Sequence, residues 1–277
     1  MNIGYYNGIF LPLSEIRVPL TDRALFFGEG VYEAMIAVDG KLHFPEKHLE
    51  RLFNNLSLLN IPFDKTRGEL LSIIEEALTL ADEKTALVYL QVSGFSERRI
   101  HTPPKTEKYN LLITVSDCPL PDRNKLVKLV TYPDLRYRYC NIKTLNLLPS
   151  VLAASYAERN GADEAVFIRE STVTECSKAN IFAVKDGIVY THPKCELILP
   201  GIARDALLAE CRRLKIPHRE EPFPKEMLYS ADALIITSST KICSLAESID
   251  GRIFDTSCDV AQKLCANLHN NFIQSCR

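Results

Sequence analysis

The 277-residue sequence lacks several features that would place it outside the ordinary soluble globular proteins. No apolar run approaches the roughly 18 residues that a membrane-spanning helix needs. The amino terminus, MNIGYYNGIF, has no basic segment followed by an apolar stretch of signal-peptide length. The 33 basic and 35 acidic residues are mixed along the chain, so no basic face for nucleic acid or anionic membrane is expected. These absences predict a cytoplasmic protein that acts on small molecules.

The sequence also lacks the common metal and dinucleotide motifs. Its nine cysteines include no Cys-x-x-Cys pair, and the histidines show no metal-ligand spacing. An odd number of scattered thiols indicates small buried hydrophobes in a reducing compartment rather than a disulfide framework. Gly28-Glu29-Gly30 lacks the third glycine of a dinucleotide fingerprint. We therefore predict neither a metal site nor a dinucleotide-binding fold.

The first half of the chain carries the hydrophobic patterns of both strands and helices. Asp39-Gly40 is a strong hairpin signal between alternating residues. From Pro45 the pattern changes to the 3.6-residue period, so two helices are expected to cover one face of an antiparallel sheet. The predicted elements are an extended run at Ile3 to Phe10, the hairpin within Val31 to Phe44, a helix from Pro45 through Leu59, a helix at Lys65 to Leu80, and strands at Ala86 to Val92 and Tyr109 to Val115.

A charged stretch with two prolines, Ser116 to Lys125, breaks both periods as an exposed connection does. It predicts a small α+β domain over 1–117, a linker over 118–125 and a larger domain over 126–277. The elements predicted for the larger domain are strands at Leu126 to Tyr132, Ile188 to Thr191 and Ala233 to Thr237, a hairpin of Ala165 to Ile168 with Ser171 to Val184, and helices at Pro149 to Asn160, Ile202 to Leu214 and Val260 to Phe272.

Lys143 and Glu175 are the residues that indicate chemistry. Lys143 lies in the mostly uncharged stretch RYCNIKTLNLL, and apolar neighbours would desolvate its amine, which lowers the pKa and leaves the neutral nucleophile. These neighbours are Ile142, Leu145, Leu147 and Leu148. Glu175 lies in the later stretch VTECSKANIF. From the residues alone, a lysine that extends its charge to solvent and a strand-end carboxylate that caps a turn are the alternatives. A lysine that forms a Schiff base, together with a carboxylate that holds a pyridinium nitrogen, is the pattern that pyridoxal phosphate requires.

Both stretches resemble those of the fold type IV aminotransferases, and IKTLNLL most resembles their D-amino acid aminotransferase branch. The resemblance runs from DRALFFGEGVYEA at Asp22 to SSTKICSLAESIDG, which ends at Gly251. It implies a two-domain α+β fold, with a small α/β sandwich domain and a larger pseudo-barrel β domain with flanking helices. It also implies pyridoxal 5′-phosphate as cofactor and a homodimer whose active site is completed by a loop of the partner chain.

The resemblance assigns roles to the matching positions. Lys143 would be the nucleophile and proton shuttle, Glu175 would bond the pyridine nitrogen, and Asn180 would brace the site. Lys178 departs from the small residues usual in the family and would place a charge close to the cofactor ring.

Three stretches suit the cofactor phosphate. Arg51 can give a charge-assisted hydrogen bond, although a helix-surface salt bridge is the commoner role of such an arginine. LPGIARD, Leu199 to Asp205, predicts a helix amino terminus whose free N–H groups attract an anion. Hydroxyl residues follow the strand that ends at Thr237, although such a run usually only makes a turn. The resemblance matches all three to phosphate contacts of the family, with Ala203 in place of a hydroxyl residue; the cofactor-binding residues it implies here are Arg51, Leu199, Ile202, Ala203, Ser238 and Ser239.

The segment SERRIHTPP, Ser96 to Pro104, bears on the substrate. Arg99 and His101 are two residues apart, so on an extended loop both can face one direction and bind a carboxylate, whereas a solvated basic loop is the alternative. In the family that it resembles, the matching R-x-H comes from the partner subunit and works with the tyrosine of G-x-G-V-Y-E, here Tyr32. Thr240 is assigned to the substrate as well. Arg98 adjoins the pair, but the spacing to His101 favours Arg99.

The resemblance predicts a ping-pong transfer of the amino group from D-amino acids, such as D-alanine and D-glutamate, to 2-oxo acids. Two other reactions on the same fold stay open. Aminodeoxychorismate lyase shares the VTEC-x-x-AN-x-F pattern, and branched-chain L-amino acid aminotransferase comes third because this chain is short for that branch. A cofactor-binding protein without turnover is disfavoured because Lys143 and Glu175 are both present.

Overall fold

The structure, a computed structural model, describes residues 2–95 and 98–276, which form two compact units. Unit 1 comprises the described residues up to Leu120, the segment Ile142–Asn146 and the chain from Ser275, whereas unit 2 comprises Pro121–Asn141 and Leu147–Gln274. The Lys143 segment therefore belongs to unit 1, although the chain on either side of it belongs to unit 2. The domain limits predicted from the sequence remain predictions. In the parts that the structure describes, no helix has the length and apolarity to cross a membrane.

Unit 1 contains an antiparallel sheet whose described strands follow the order β2-β1-β6-β5-β3-β4. The strands are β1 (Ile3–Tyr6), β2 (Ile9–Pro12), β3 (Gly30–Val38), β4 (Lys41–Leu42), β5 (Thr85–Gly94) and β6 (Tyr109–Asp117). The helices are α1 (Arg23–Phe27), α2 (Pro45–Leu58) and α3 (Arg67–Ala81). One buried cluster joins α2 and α3 to the sheet, and it includes Leu49, Leu52, Leu70, Ile74, Val88, Leu90 and Ile113. The predicted hairpin, the two predicted helices and the strands predicted at Ala86 to Val92 and Tyr109 to Val115 are confirmed.

Local signals explain where these elements begin and turn. Asp39 and Gly40 have φ angles of 48° and 76°, as a two-residue hairpin turn of the predicted kind requires. Pro45 occupies the first turn of α2, where its missing N–H leaves no hydrogen bond unmade. Thr66 and Glu69 form a capping box at the start of α3.

Unit 2 contains a mixed sheet in the order β12-β11-β10-β14-β15-β7-β8-β9-β13, and β16 pairs with β15. The strands are β7 (Val127–Pro133), β8 (Glu164–Arg169), β9 (Thr172–Cys176), β10 (Asn180–Lys185), β11 (Ile188–Thr191), β12 (His218–Glu220), β13 (Phe223–Pro224), β14 (Ala233–Thr237), β15 (Ser244–Ile249) and β16 (Arg252–Ile253). The helices are α4 (Leu148–Arg159), α5 (Ile202–Leu214), α6 (Lys225–Ser230) and α7 (Asp259–Ser275), the last of which ends in unit 1.

The sheet of unit 2 is curled. β9 and β10 are separated along the chain only by residues 177–179, and the amide of Cys176 donates to the carbonyl of Ala179 at 2.7 Å. In the hydrogen-bonded order, however, β14, β15, β7 and β8 lie between them. Because a flat sheet would hold these two strands far apart, it must curl to let a three-residue turn join them. This curvature agrees with the predicted larger β domain.

Two predicted runs are divided in the structure. Ile3 to Phe10 is not one strand, because Asn7 and Gly8, with φ angles of 46° and 102°, turn the chain from β1 into β2. Ser171 to Val184 is not one arm of a hairpin, because β9 pairs with β8 whereas β10 pairs with β14. Asn7-Gly8 is itself a strong signal for a two-residue turn, which the prediction of one extended run overlooked. Residues 177–179 form a turn of only three residues, which is too short to separate two strands clearly in the sequence.

Candidate active site

Lys143 is fixed against β3 within unit 1. Its carbonyl accepts the amide hydrogen of Tyr32 at 3.0 Å, and two residues later the amide of Leu145 donates to Gly30 at 3.1 Å. The Nζ atom of Lys143 lies 4.2 Å from the centre of the Tyr32 ring. The chain therefore holds a primary amine beside a tyrosine, and backbone hydrogen bonds set the position of both residues.

The apolar neighbours predicted for Lys143 differ in burial. Ile142 is buried and Leu145 is half-buried. Leu147 and Leu148 are 38% and 67% exposed and lead into the first turn of α4 in unit 2. The desolvation of the amine by these neighbours stays a prediction.

Arg51 takes part in a buried ion cluster with Glu33 and His48. Its Nε and Nη2 atoms donate to the two carboxylate oxygens of Glu33 at 2.7 and 2.8 Å, and Nδ1 of His48 lies 2.6 Å from Glu33 Oε2. Burial acts to raise the pKa of Glu33, but the hydrogen bonds from Arg51 and His48 outweigh it and lower the pKa to about 2. Arg51 therefore does not form a salt bridge on the helix surface. It forms a buried bidentate ion pair with Glu33, which fixes the plane of the guanidinium.

Tyr32 has two neighbours that the sequence analysis did not single out. Gln91 is its partner across the β3–β5 ladder, and the ring of Tyr89 lies 5.6 Å from that of Tyr32. The Tyr89 hydroxyl donates to Gln91 Oε1 at 2.8 Å. The alternation of β5 is the only signal that could have placed these polar groups on one face.

Arg99 and His101 both lie against Phe27 at the end of α1. The guanidinium carbon of Arg99 is 5.3 Å from the centre of the Phe27 ring, and the ring centres of His101 and Phe27 are 5.2 Å apart. Both side chains therefore reach one aromatic ring, as the two-residue spacing predicts. Ser96 and Glu97, which open the predicted segment, lie outside the described residues.

Arg23, a residue that the sequence analysis missed, holds this segment to the fold. It is 1% exposed, pairs with Glu29 at 2.5 Å, and donates to the carbonyls of Ile100 at 2.7 Å and His101 at 2.9 Å. Arg23 lies within the stretch DRALFFGEG that the sequence analysis quotes. The two carbonyls to which it donates, however, are 77 and 78 positions further along the chain. No local pattern encodes that contact.

Glu175 lies at the end of β9 in unit 2 and is 6% exposed. Arg136 donates to its Oε1 atom, and Oε2 accepts hydrogen bonds of 3.0 Å from Asn180 Nδ2 and from the amide of Leu199. Burial raises the pKa of Glu175 to about 7, against the opposing effect of the guanidinium and the hydrogen bonds. The burial of this carboxyl group is therefore offset by a guanidinium, a side-chain amide and a backbone amide that donate to it.

Arg136 is the second residue that the sequence analysis missed. Its Nε atom donates to Asp134 at 2.9 Å, and its guanidinium carbon lies 4.2 Å from the centre of the Phe167 ring. Arg169 also pairs with Asp134, at 3.1 Å. The alternating Asp134-x-Arg136 was a weak signal, since such pairs are common on exposed strands.

The predicted phosphate positions lie in two turns of unit 2. Gly201 is the N-cap of α5 and gives no side-chain cap, so the first amides of the helix, at Ile202 and Ala203, point from an uncapped end. After β14, Ser238 Oγ accepts from the amide of Lys241 at 3.1 Å and lies 3.5 Å from Thr240 Oγ1. Ser239 is half-buried in the same turn.

Lys178 does not stand alone as a charge. Its Nζ atom is 3.8 Å from Glu164 Oε1, and Lys241 pairs with the same oxygen at 2.9 Å. The amide of Lys178 and the hydroxyl of Ser177 donate to the other oxygen of Glu164, at 3.2 and 2.5 Å. Glu164, which is 1% exposed, thereby joins the turn after β9 to the turn after β14.

Comparisons with known proteins identify the family. The model of the class IV amino-transferases matches residues 30–249. A D-alanine aminotransferase of Staphylococcus haemolyticus is 34% identical over 250 residues, which is 89% of each chain. The structure of the branched-chain amino acid aminotransferase of Escherichia coli aligns with a TM-score of 0.90 at 20% identity, over 99% of this chain and 96% of that one. A putative 4-amino-4-deoxychorismate lyase of Legionella pneumophila aligns with a TM-score of 0.86 at 26% identity, over 94% of this chain and 97% of that one.

These matches show that the chain belongs to the class IV aminotransferases. The predicted family, its two-domain α+β fold and its aminotransferase activity are thereby confirmed.

Proposed function

We propose that this aminotransferase uses pyridoxal phosphate to move the amino group of D-amino acids, such as D-alanine and D-glutamate, to 2-oxo acids. The observation that carries the proposal is the position of the Lys143 amine, 4.2 Å from the Tyr32 ring. It puts a nucleophilic amine beside the tyrosine that the D-amino acid branch uses for the substrate carboxylate. The match to D-alanine aminotransferase over 89% of both chains supports the same choice of substrate.

The residues present fit the cofactor. Among the residues that the structure describes, Glu175 Oε1 accepts a side-chain hydrogen bond from Arg136 alone, which leaves a lone pair for a pyridine N–H. The hydroxyl of Thr237 is buried and has no hydrogen-bond partner within the described residues, at the strand end where a phosphate contact was predicted. The uncapped start of α5 offers backbone N–H groups to the same kind of anion. We assign Lys143, Glu175 and Asn180 to the ring end, and Arg51, Leu199, Ile202, Ala203, Ser238 and Ser239 to the phosphate end.

The chain's own residues would divide the chemistry as follows. Pyridoxal phosphate, when bound, supplies an aldehyde that reacts with amines and a ring that accepts electrons. Lys143 would hold the aldehyde carbon of the cofactor and, as a free amine, would move the Cα proton of the amino donor. Glu175 would accept a hydrogen bond from the ring N–H, and the positive charge of the protonated ring would favour the ionised carboxylate. The amino group of the donor would pass by way of the cofactor to a second 2-oxo acid, and the donor would leave as its own 2-oxo acid.

The substrate carboxylate would be bound by Arg99 and His101 together with Tyr32, and Thr240 would line the same space. We propose that Arg99 and His101 serve the active site of a partner subunit. An exposed apolar stripe on α4 supports self-association, because Leu148, Val151 and Leu152 are 67%, 55% and 52% exposed at the i, i+3, i+4 spacing of one helix face. The nine cysteines are free thiols, which fits a reducing cytoplasm.

A single-turnover measurement tests the reaction. The cofactor-loaded protein is mixed separately with D-alanine, L-leucine and aminodeoxychorismate, without an acceptor, and the cofactor absorbance is followed. We expect D-alanine alone to convert the cofactor band. Release of pyruvate and 4-aminobenzoate from aminodeoxychorismate, with no change in band for either amino acid, would make the protein a lyase instead.

Two variants test the assigned residues. Lys143→Ala should abolish turnover and the absorbance band of the covalently held cofactor; a normal band would remove the central assignment. Arg99→Ala should raise the KM for D-alanine by about tenfold or more while the band stays unchanged. The neighbouring Arg98→Ala is the matched control, because it removes the same charge from the same loop, and equal effects of the two variants would remove the specific role of Arg99.

A further inference from the structure

Two buried thiols are in unusually close contact. The Sγ atoms of Cys243 and Cys265 are 2.6 Å apart. The other hydrogen-bond contacts of thiol sulfur in the described residues, made with oxygen, nitrogen or a hydroxyl, span 3.4–3.8 Å. Only about half an ångström separates the pair from the length of a sulfur–sulfur bond. The two side chains already point at each other.

Their places in the fold give this contact a structural meaning. Cys243 directly follows the turn after β14 that carries Ser238, whereas Cys265 lies on the buried face of α7. Ile242 directly precedes Cys243 at the end of that turn. Its φ angle of 59° is a left-handed conformation that a β-branched residue rarely adopts. Its amide donates to the carbonyl of Ser238 at 2.8 Å. The thiol pair thus lies where a strained turn meets the C-terminal helix.

The helix also binds the backbone at this point. His269, one turn beyond Cys265, donates from Nε2 to the carbonyl of Cys243 at 2.8 Å. Both the side chain and the carbonyl of Cys243 are therefore held by α7. A bond between the two sulfurs would need little movement of either element, since their relative position is already set.

We propose that Cys243 and Cys265 form a reversible disulfide, with hydrogen peroxide as the oxidant. The thiolate of Cys265 attacks one peroxide oxygen, so that the O–O bond breaks, a sulfenic acid forms and hydroxide leaves. The sulfur of Cys243 then attacks the Cys265 sulfur, which forms the S–S bond and expels the sulfenic hydroxyl as water. The two thiol protons end in the two waters, the peroxide is reduced by two electrons, and the thiols lose the same two. This inference does not depend on the proposed substrate.

Burial explains the order of the steps and the choice of oxidant. Cys243 is fully buried, and this burial raises its pKa well above the ordinary value of a thiol. The neighbouring Cys265 raises that pKa further. Cys265 is 7% exposed and is the sulfur that a small oxidant reaches first. A bulky disulfide would not enter, whereas hydrogen peroxide is close to water in size.

The test treats the cofactor-loaded protein with hydrogen peroxide and reads the product without relying on activity. We expect a mass loss of about 2 Da and a peptide that links Cys243 to Cys265, both reversed by dithiothreitol. Closing this loop should raise Tm by about 5 °C. Addition of oxygen without the mass loss, or a link between other cysteines, would overturn the proposal.

Variants separate the pair from its surroundings. Cys265→Ala should eliminate both the link and the oxidation-dependent rise in Tm. Cys211→Ala is the matched control, because Cys211 is also fully buried and near enough to Cys243 to raise its pKa. Cys211→Ala should leave the link intact. If the link is lost in Cys211→Ala but kept in Cys265→Ala, the partner of Cys243 is Cys211 and the proposal is wrong. The mapping in the unaltered chain stands even if a variant fails to fold.

Discussion

The side-chain amide of Asn180 joins Glu175 to the start of α5. Its Nδ2 atom lies 3.0 Å from Glu175 Oε2 and 3.0 Å from the carbonyl of Leu199. On its other side, a Cβ atom built on Gly201 would stand 2.1 Å from Asn180 Oδ1. The backbone of Gly201 therefore approaches the amide more closely than any other residue type permits.

Gly201→Ala should displace Asn180 and loosen its hold on Glu175. The φ angle of Gly201 is −68°, so the cost is steric and not conformational. We expect the free energy of unfolding to fall by about 1–3 kcal/mol in urea denaturation, with weaker cofactor binding. The matched control is Gly68→Ala in α3, where an added Cβ meets nothing within 4 Å. It should stabilise by about 0.5–1 kcal/mol, and a similar loss in both variants would contradict the steric account.

The acid stability of the protein should depend on Glu33. The pKa of Glu33 in the folded protein, about 2, is below the ordinary 4.5. Its contribution to the free energy of unfolding is therefore fully present above pH 4.5 and is lost as the pH falls through 2. We expect the free energy of unfolding to drop by about 3 kcal/mol over that interval on account of this group. Glu33→Gln should have a lower free energy of unfolding at pH 7, because it removes the buried carboxylate that pairs with Arg51, but that free energy should depend less on pH between 4.5 and 2. Exposed Glu46→Gln should keep the wild-type slope; an unchanged slope in Glu33→Gln would refute the assignment.

The parts of the fold that the sequence predicted are those with a local physical cause. Asp39-Gly40 determines its own turn, and the apolar period of α2 determines its buried face. Short strands such as β12 and β13 were not predicted, because two or three residues hold too little periodicity. Their positions depend on the strands beside them.

The candidate site shows the same division. Lys143 and Glu175 could be singled out because each lies in a distinctive stretch of sequence. The contacts that hold them could not, because Arg136 reaches Glu175 across 39 positions and Lys241 reaches Glu164 across 77. Ion pairs of this kind are set by how the strands are ordered in the sheet. No local pattern of residues predicts the order of the strands in the sheet.

Glu164 and Lys241 should be energetically coupled. Their contact of 2.9 Å involves a carboxylate that is 1% exposed, and a charged hydrogen bond at such a site is worth more than one in water. A double-mutant cycle of Glu164→Gln with Lys241→Gln should give a coupling of about 1–3 kcal/mol in the free energy of unfolding. Lys178 provides the control, because its side chain is 62% exposed and 3.8 Å from the same oxygen. Its coupling should be below about 0.5 kcal/mol, and equal values would show that burial does not separate the two lysines.

Arg23 should govern substrate binding without touching the cofactor. It donates to the carbonyls of Ile100 and His101 while its other face pairs with Glu29, a two-sided contact that a lysine cannot reproduce. Arg23→Lys keeps the charge but releases the segment that carries Arg99 and His101, so the KM for D-alanine should rise by about tenfold. The cofactor absorbance should stay unchanged, since Lys143 is held by other bonds. Arg17→Lys is the matched control, because Arg17 is exposed and donates to the nearby carbonyls of Ser14 and Ile16. If KM stays unchanged in Arg23→Lys, the arginine serves the stability of unit 1 and not the substrate.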